Sequence, residues 1–146
     1  MDNLKKIKRY GKFNLLLIGI LAFTVLYALT LHIRLYENYM QTLPDNERTA
    51  SGWAVIGIVL LSVIGAIALS VTLLLLVGST VALLKATKPK RTAIIFSIVF
   101  QFLTAVGFLF FFASCYNAFS VIVFTLSALS VLAVAIYGIR VCATLK

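Results

Sequence analysis

The sequence predicts an all-α integral membrane protein, a four-transmembrane-helix bundle whose long first and second helices project as an outer hairpin. Three observations predict it. The first is composition: 62% of the 146 residues are hydrophobic and only 12% are charged, with a mean hydropathy of +1.09. Soluble domains carry about 45–50% apolar and about 25% charged residues, and a globule of this size buries only about 70% of its chain surface. A soluble enzyme, a disordered tail and a coiled coil are thereby excluded. The second observation is that the apolar residues fall in four uncharged runs of about 20 residues or more, the length that crosses a hydrocarbon core of roughly 30 Å. The third is that Lys and Arg crowd one set of flanks.

The first run, 13–33, is bounded by Lys12 and Arg34. Beyond Arg34 no breaker appears before Pro44, and Leu35, Tyr39 and Leu43 recur on one helical face, so the helix is expected to continue upward. The second run, 52–84, has no Pro, Asn or Asp to interrupt it. Its 33 residues make about 50 Å of helix, too long for one crossing at ordinary tilt and too short for two. One helix projecting from the bilayer fits best, with a turn near Pro44–Glu47 closing the outer hairpin and Asp45, Thr49 or Ser51 as its N-cap. The third run, 92–113, and the fourth, 119–139, are divided only by the polar patch Ser114, Cys115, Tyr116 and Asn117, enough for a tight hairpin loop. No period-two alternation is present, so helices are preferred to barrel strands. The whole chain, 1–146, is expected to be a single membrane domain.

Charge sets the expected orientation. Lys5, Lys6, Lys8, Arg9 and Lys12 precede the first run; Lys85, Lys88, Lys90 and Arg91 separate the second from the third; Arg140 and Lys146 follow the fourth. With four crossings these lie on one side, opposite Arg34, Arg48, Glu37, Asp45 and Glu47. The positive-inside rule then places both termini in the cytoplasm, in a plasma membrane expected to be bacterial. Tyr10, Phe13 and Tyr137 are expected as inner aromatic anchors, and Tyr36, Tyr39, Trp53 and Tyr116 as outer ones. The basic N-terminal stretch precedes an apolar run longer than a signal-peptide core and without an A-x-A-like site, so it reads as an uncleaved anchor.

Chemistry is sparse. The four runs contain no Asp, Glu, Lys or Arg, the residues that mark pumps and proton relays. His32 lies at the expected outer boundary, without a second ligand for a metal. Cys115 and Cys142 should sit a membrane apart, far beyond disulfide reach. Nucleophilic triads, phosphate loops and helical metal motifs do not occur. No catalytic residue, cofactor or metal is expected. The net charge of +9 is explained by the flanks of the spans and by anionic lipid headgroups at the cytoplasmic face, without nucleic acid.

Two sets of residues remain as candidates for contact. Gly57, Ser62, Gly65, Ala66 and Ser70 form a small-residue face on the second helix, which would admit a close neighbouring helix or partner. Gln101, the amide midway along the third run, with Thr104 and Ser130, is the candidate polar lining of a path. The leading expectation is a non-enzymatic small polytopic protein acting by contact with a membrane-protein partner or a second copy: an accessory, assembly, regulatory or immunity-type subunit. The alternative is an oligomeric channel, holin-like pore or carrier for a neutral or apolar solute.

Overall fold

The computed structural model describes residues 2–42, 44–45, 52–112 and 118–145. It is all-helical, with four helices long and apolar enough to cross a membrane. They are α1 (Asp2–Thr42), α2 (Gly52–Leu84), α3 (Arg91–Phe112) and α4 (Ala118–Thr144). Each helix packs on its neighbours in the chain, and α4 returns to α1, so the four form a square with α1 facing α3 across one diagonal.

α1 is the main departure from the sequence-based bounds. It begins at Asp2, not at the edge of the apolar run, and continues without a break through Lys12 and Arg34 to Thr42. Asp2 sits in the positive first turn and meets Lys6, one turn on, at 3.2 Å. Pro44 lies two residues past the end, where a helix cannot continue. α2 covers the uninterrupted apolar run. It closes with the Lys85 amide donating to the Val81 carbonyl at 2.9 Å, and Pro89 separates it from α3.

The packed faces follow one rule. Buried positions on α1 include the seam Ile7, Tyr10, Asn14, Leu17, Leu21, Thr24 and Ala28, with Gly11 and Val25 beside it; on α3 they are Ile94, Ser97, Gln101, Thr104 and Phe108. Both sets step by alternating threes and fours. α2 keeps the step with Leu69, Leu73, Leu76, Thr80 and Leu83, and α4 with Ser120, Phe124, Ser127 and Val131. An average step of 3.5 is the seam of left-handed bundles, whose helices cross near 20°.

Two apolar clusters fill the centre. One joins Leu17, Leu21, Val25, Leu69, Leu76, Phe108, Phe124 and Val131. The other joins Ile7, Tyr10, Leu83, Ile94, Val141 and Leu145. The second cluster brings the start of α1, the end of α2, the start of α3 and the end of α4 to one end of the bundle. Ten described cations (Lys5, Lys6, Lys8, Arg9, Lys12, Lys85, Lys88, Lys90, Arg91 and Arg140) belong to this basic end.

At the far end the helices are unequal. Tyr27 of α1 is level with Ser120, near the start of α4, and α1 continues fifteen residues to Thr42, about 22 Å. Leu69 of α2 is level with Gly107, near the end of α3. From there α2 has seventeen residues and α3 only five, an excess of about 18 Å. Half-buried Leu29, His32, Tyr36 and Met40 extend the inner stripe of α1 into this excess, while Ile33 and Tyr39 are exposed. Most of the expected turn, including Glu47 and the caps Thr49 and Ser51, lies outside the described residues, as do Cys115 and Tyr116.

Candidate functional site

The densest polar chemistry lies across the α1–α3 diagonal near the basic end. Tyr10 and Asn14, one turn apart on α1, face Ser97 and Gln101, one turn apart on α3, and all four side chains are fully buried. The Tyr10 hydroxyl donates to Ser97 Oγ at 3.3 Å, and the Asn14 amide also donates to that oxygen. The Gln101 amide nitrogen donates to the Tyr10 hydroxyl at 3.2 Å and to Asn14 Oδ1. Both amide protons of Gln101 are thus used, whereas its carbonyl Oε1 is buried with no hydrogen-bond partner among the described residues. Leaving such an acceptor unpaired costs about 1–3 kcal/mol.

Gly138 of α4 makes room for the cluster. A Cβ there would lie 2.7 Å from the Tyr10 hydroxyl and from its ring Cζ. Tyr10 therefore occupies the centre of the bundle, with its ring 6.2 Å from that of Tyr137. This corrects its expected place as a headgroup anchor. Phe13, also expected as an anchor, is 44% exposed.

A second polar set joins α1 to α4 toward the far end. Thr24 and Ser127 hydroxyls meet at 2.7 Å, and Tyr27 and Ser120 at 3.2 Å. Thr24 also donates to the Ile20 carbonyl and Ser127 to the Val123 carbonyl, each one turn back; the proton shared between the two hydroxyls therefore competes with these intrahelical bonds. α1 is thus tied to α3 at one end and to α4 at the other.

The residues singled out in the sequence are distributed as follows. Gln101 and Thr104 share the buried seam of α3, but the Thr104 hydroxyl is bonded to the Phe100 carbonyl of its own helix at 2.8 Å. Ser130 lies beside the α4 seam, half-buried, and bonds back to Leu126 at 2.8 Å. The three do not converge on one lining. On α2, Gly65 and Ala66 are half-buried, whereas Ser70 is exposed and bonded to the Ala66 carbonyl. The described side chains that α2 buries are Leu69, Leu76, Thr80 and Leu83. The side chain of Ser62 and the surroundings of Gly57 lie outside the described residues.

Sequence reasoning gave weight to Gln101, placed its partner Tyr10 at the headgroups, and passed over Asn14 and Ser97, as well as Thr24 and Ser120. The signal was present: Tyr10 and Asn14, and Ser97, Gln101 and Thr104, are polar residues recurring at intervals of three and four on otherwise apolar helices. In a chain that is apolar all round, that spacing marks the inner face better than hydrophobicity does.

Chemically the cluster holds helices together. It offers neither a carboxylate nor a basic group, and its hydrogen bonds join α1 to α3. Two other cavities lie on the flanks. One, of about 350 Å³ between α3 and α4, is lined mainly by Ala105, Phe108, Phe124, Ala128 and Leu132. The other, of about 410 Å³ between α1 and α4 at the basic end, is lined by Arg9, Phe13, Ala133, Val134 and Tyr137. Comparison of the chain with known protein families, characterised proteins and solved structures found no match.

Proposed function

We propose that the chain is a four-span protein of a bacterial plasma membrane, with both termini cytoplasmic, and that it acts by contact with a partner as an accessory, assembly, regulatory or immunity-type subunit. The observation that carries this reading is the inverted distribution of polarity. Asn14, Thr24, Thr80, Ser97, Gln101, Thr104, Ser120 and Ser127 are buried, while Leu16, Phe23, Leu26, Ile67, Leu74, Val106, Ile122 and Leu126 are each more than half exposed. A water-soluble monomer rarely exposes apolar patches beyond a few hundred Å². Lipid gives no penalty for such a surface, and in lipid the inward hydroxyls and amides hold the helices together. The ten cations gathered at one end support a cytoplasmic placement of that end.

The α1–α2 excess supports action by contact. It adds about 20 Å of helix that the bundle does not need for its own closure, and on α1 it leaves Ile33 and Tyr39 exposed. What speaks against the channel or carrier reading for a single copy is the filled centre, with Leu17, Leu21, Leu76 and Val131 above the Tyr10–Gln101 cluster. The reading is tested by purifying the full chain from its native membrane. A complex of fixed stoichiometry that is lost in Ile33→Ser/Tyr39→Ser, with the helical fold retained, is the expected result. A solitary monomer, or a complex indifferent to both substitutions, contradicts it.

A further inference from the structure

We propose that the groove between α1 and α4 at the basic end binds one anionic phospholipid, with its phosphate on Arg9 and an acyl chain against Phe13, Ala133, Val134 and Tyr137. This rests on the membrane-spanning reading above. The groove has a volume of about 410 Å³, within the roughly 300–1,000 Å³ of small-molecule sites. Its walls are fixed: Phe13 meets Tyr137 edge to face at 5.4 Å, and Tyr137 in turn lies against buried Tyr10. Ala133, one turn from Tyr137 on α4, leaves the depression between them open.

Polarity changes along the groove as it does along a lipid. Arg9 is one turn nearer the basic end than Phe13, and Tyr137 one turn nearer than Ala133. The cation therefore stands at the entrance, with hydrocarbon beyond it. A free phosphate or an acidic peptide would use the cation but not the apolar wall.

Charge complementarity identifies the headgroup. Among the described residues of the basic end there is one acid, Asp2, and it is held by Lys6. Arg9 has no carboxylate partner among the described residues, and a guanidinium matches a phosphate with two parallel hydrogen bonds. The α3–α4 cavity has no cation in its lining, which makes it the internal control.

The test uses the full chain in neutral detergent, titrated with phosphatidylglycerol or phosphatidylcholine of identical chains, and reads bound lipid by native mass spectrometry. One phosphatidylglycerol per chain should be retained, with about tenfold preference, because phosphatidylcholine offers Arg9 the same phosphate but adds a quaternary ammonium that the cations of the basic end repel. Arg9→Gln should reduce that preference to under about twofold, and Arg9→Lys should restore part of it. Ala133→Leu should weaken both lipids alike. Lys88→Gln, in the α2–α3 connection and outside the groove's lining, should change neither; Ala128→Leu, in the α3–α4 cavity, should also leave both unchanged. Absence of preference in the wild-type chain, or equal losses in Arg9→Gln and Lys88→Gln, overturns the site. Alkaline carbonate extraction separates the two levels. A chain that is extracted refutes the membrane reading itself, whereas a chain that stays embedded without lipid preference refutes the lipid site alone.

Discussion

Replacing Asn14 and Gln101 by leucine, singly and together, probes the clamp that ties α1 to α3. Asn14→Leu removes the donor to Ser97 and the acceptor for Gln101. At about 0.6 kcal/mol per interhelical hydrogen bond in a membrane, the two amount to roughly 1.2 kcal/mol. The substitution also strands one Gln101 amide proton, which adds about 1–3 kcal/mol, so a total of about 2–4 kcal/mol is expected. Gln101→Leu loses two bonds as well. It strands Asn14 Oδ1, which loses its donor, but it also removes the carbonyl that is buried without a partner, and these two terms of about 1–3 kcal/mol each offset one another. Gln101→Leu should therefore cost only about 1 kcal/mol, less than Asn14→Leu, by the same reasoning about unpaired groups. In the double variant no amide is stranded, and its cost should fall short of the sum of the singles by roughly 2–3 kcal/mol, the upper range of coupling for directly bonded residues. The assay is reversible unfolding in mixed micelles of sodium dodecyl sulfate and a mild detergent, followed by far-ultraviolet circular dichroism. Additivity within about 0.5 kcal/mol, or a larger loss for Gln101→Leu than for Asn14→Leu, would refute the clamp.

Other expectations use the same unfolding measurement or a flux assay. Gly138→Ala places a methyl 2.7 Å from two atoms of buried Tyr10 and should destabilise by about 1–3 kcal/mol through overpacking. Gly19→Ala and Gly78→Ala meet nothing within 4 Å among the described residues and should be neutral or up to about 1 kcal/mol stabilising, since alanine is the better helix former; destabilisation at either would contradict the packing described. Thr24→Val should cost about 0.6 kcal/mol by removing its bond to Ser127, and the loss should disappear when Ser127 is already Ala. Reconstituted wild-type chain should pass neither ions nor small dyes across liposomes, because its centre is filled; a steady flux would restore the channel reading.

The four helices were legible because run length and charge spacing carry their own physical reason. The stretch 52–84 could be nothing but helix, and α2 spans it. The start of α1 was not legible from hydropathy. Residues 2–12 are strongly basic, yet they contain no Pro, place Asp2 at the first turn with Lys6 one turn on, and bury Ile7 and Tyr10 in the cluster at the basic end. The inner faces were harder still. Where outward-facing and core-facing positions are both apolar, amphipathicity vanishes, and only the polar residues record which side is inward. Gln101 was recognised by its chemistry. Asn14 escaped because it sits at the edge of its run, where an amide ordinarily meets water. The small residues Gly65, Ala66 and Ser70 were noticed for their spacing, but spacing alone does not say which face has a neighbour, and Ser70 is exposed. Gly138, whose missing side chain admits Tyr10, has no local signature at all.

The central claim is that four helices cross one membrane, with the basic end on a single side. Single cysteines introduced at Lys5, Lys88, Thr42 and Thr144, in a chain whose own Cys115 and Cys142 are replaced by Ser, can be labelled from either side of sealed vesicles with a membrane-impermeant maleimide. Lys5→Cys, Lys88→Cys and Thr144→Cys should react together from the cytoplasmic side, and Thr42→Cys only from the other. Labelling of Lys5→Cys and Thr144→Cys from opposite sides, or of Thr42→Cys from the same side as Lys88→Cys, would contradict it.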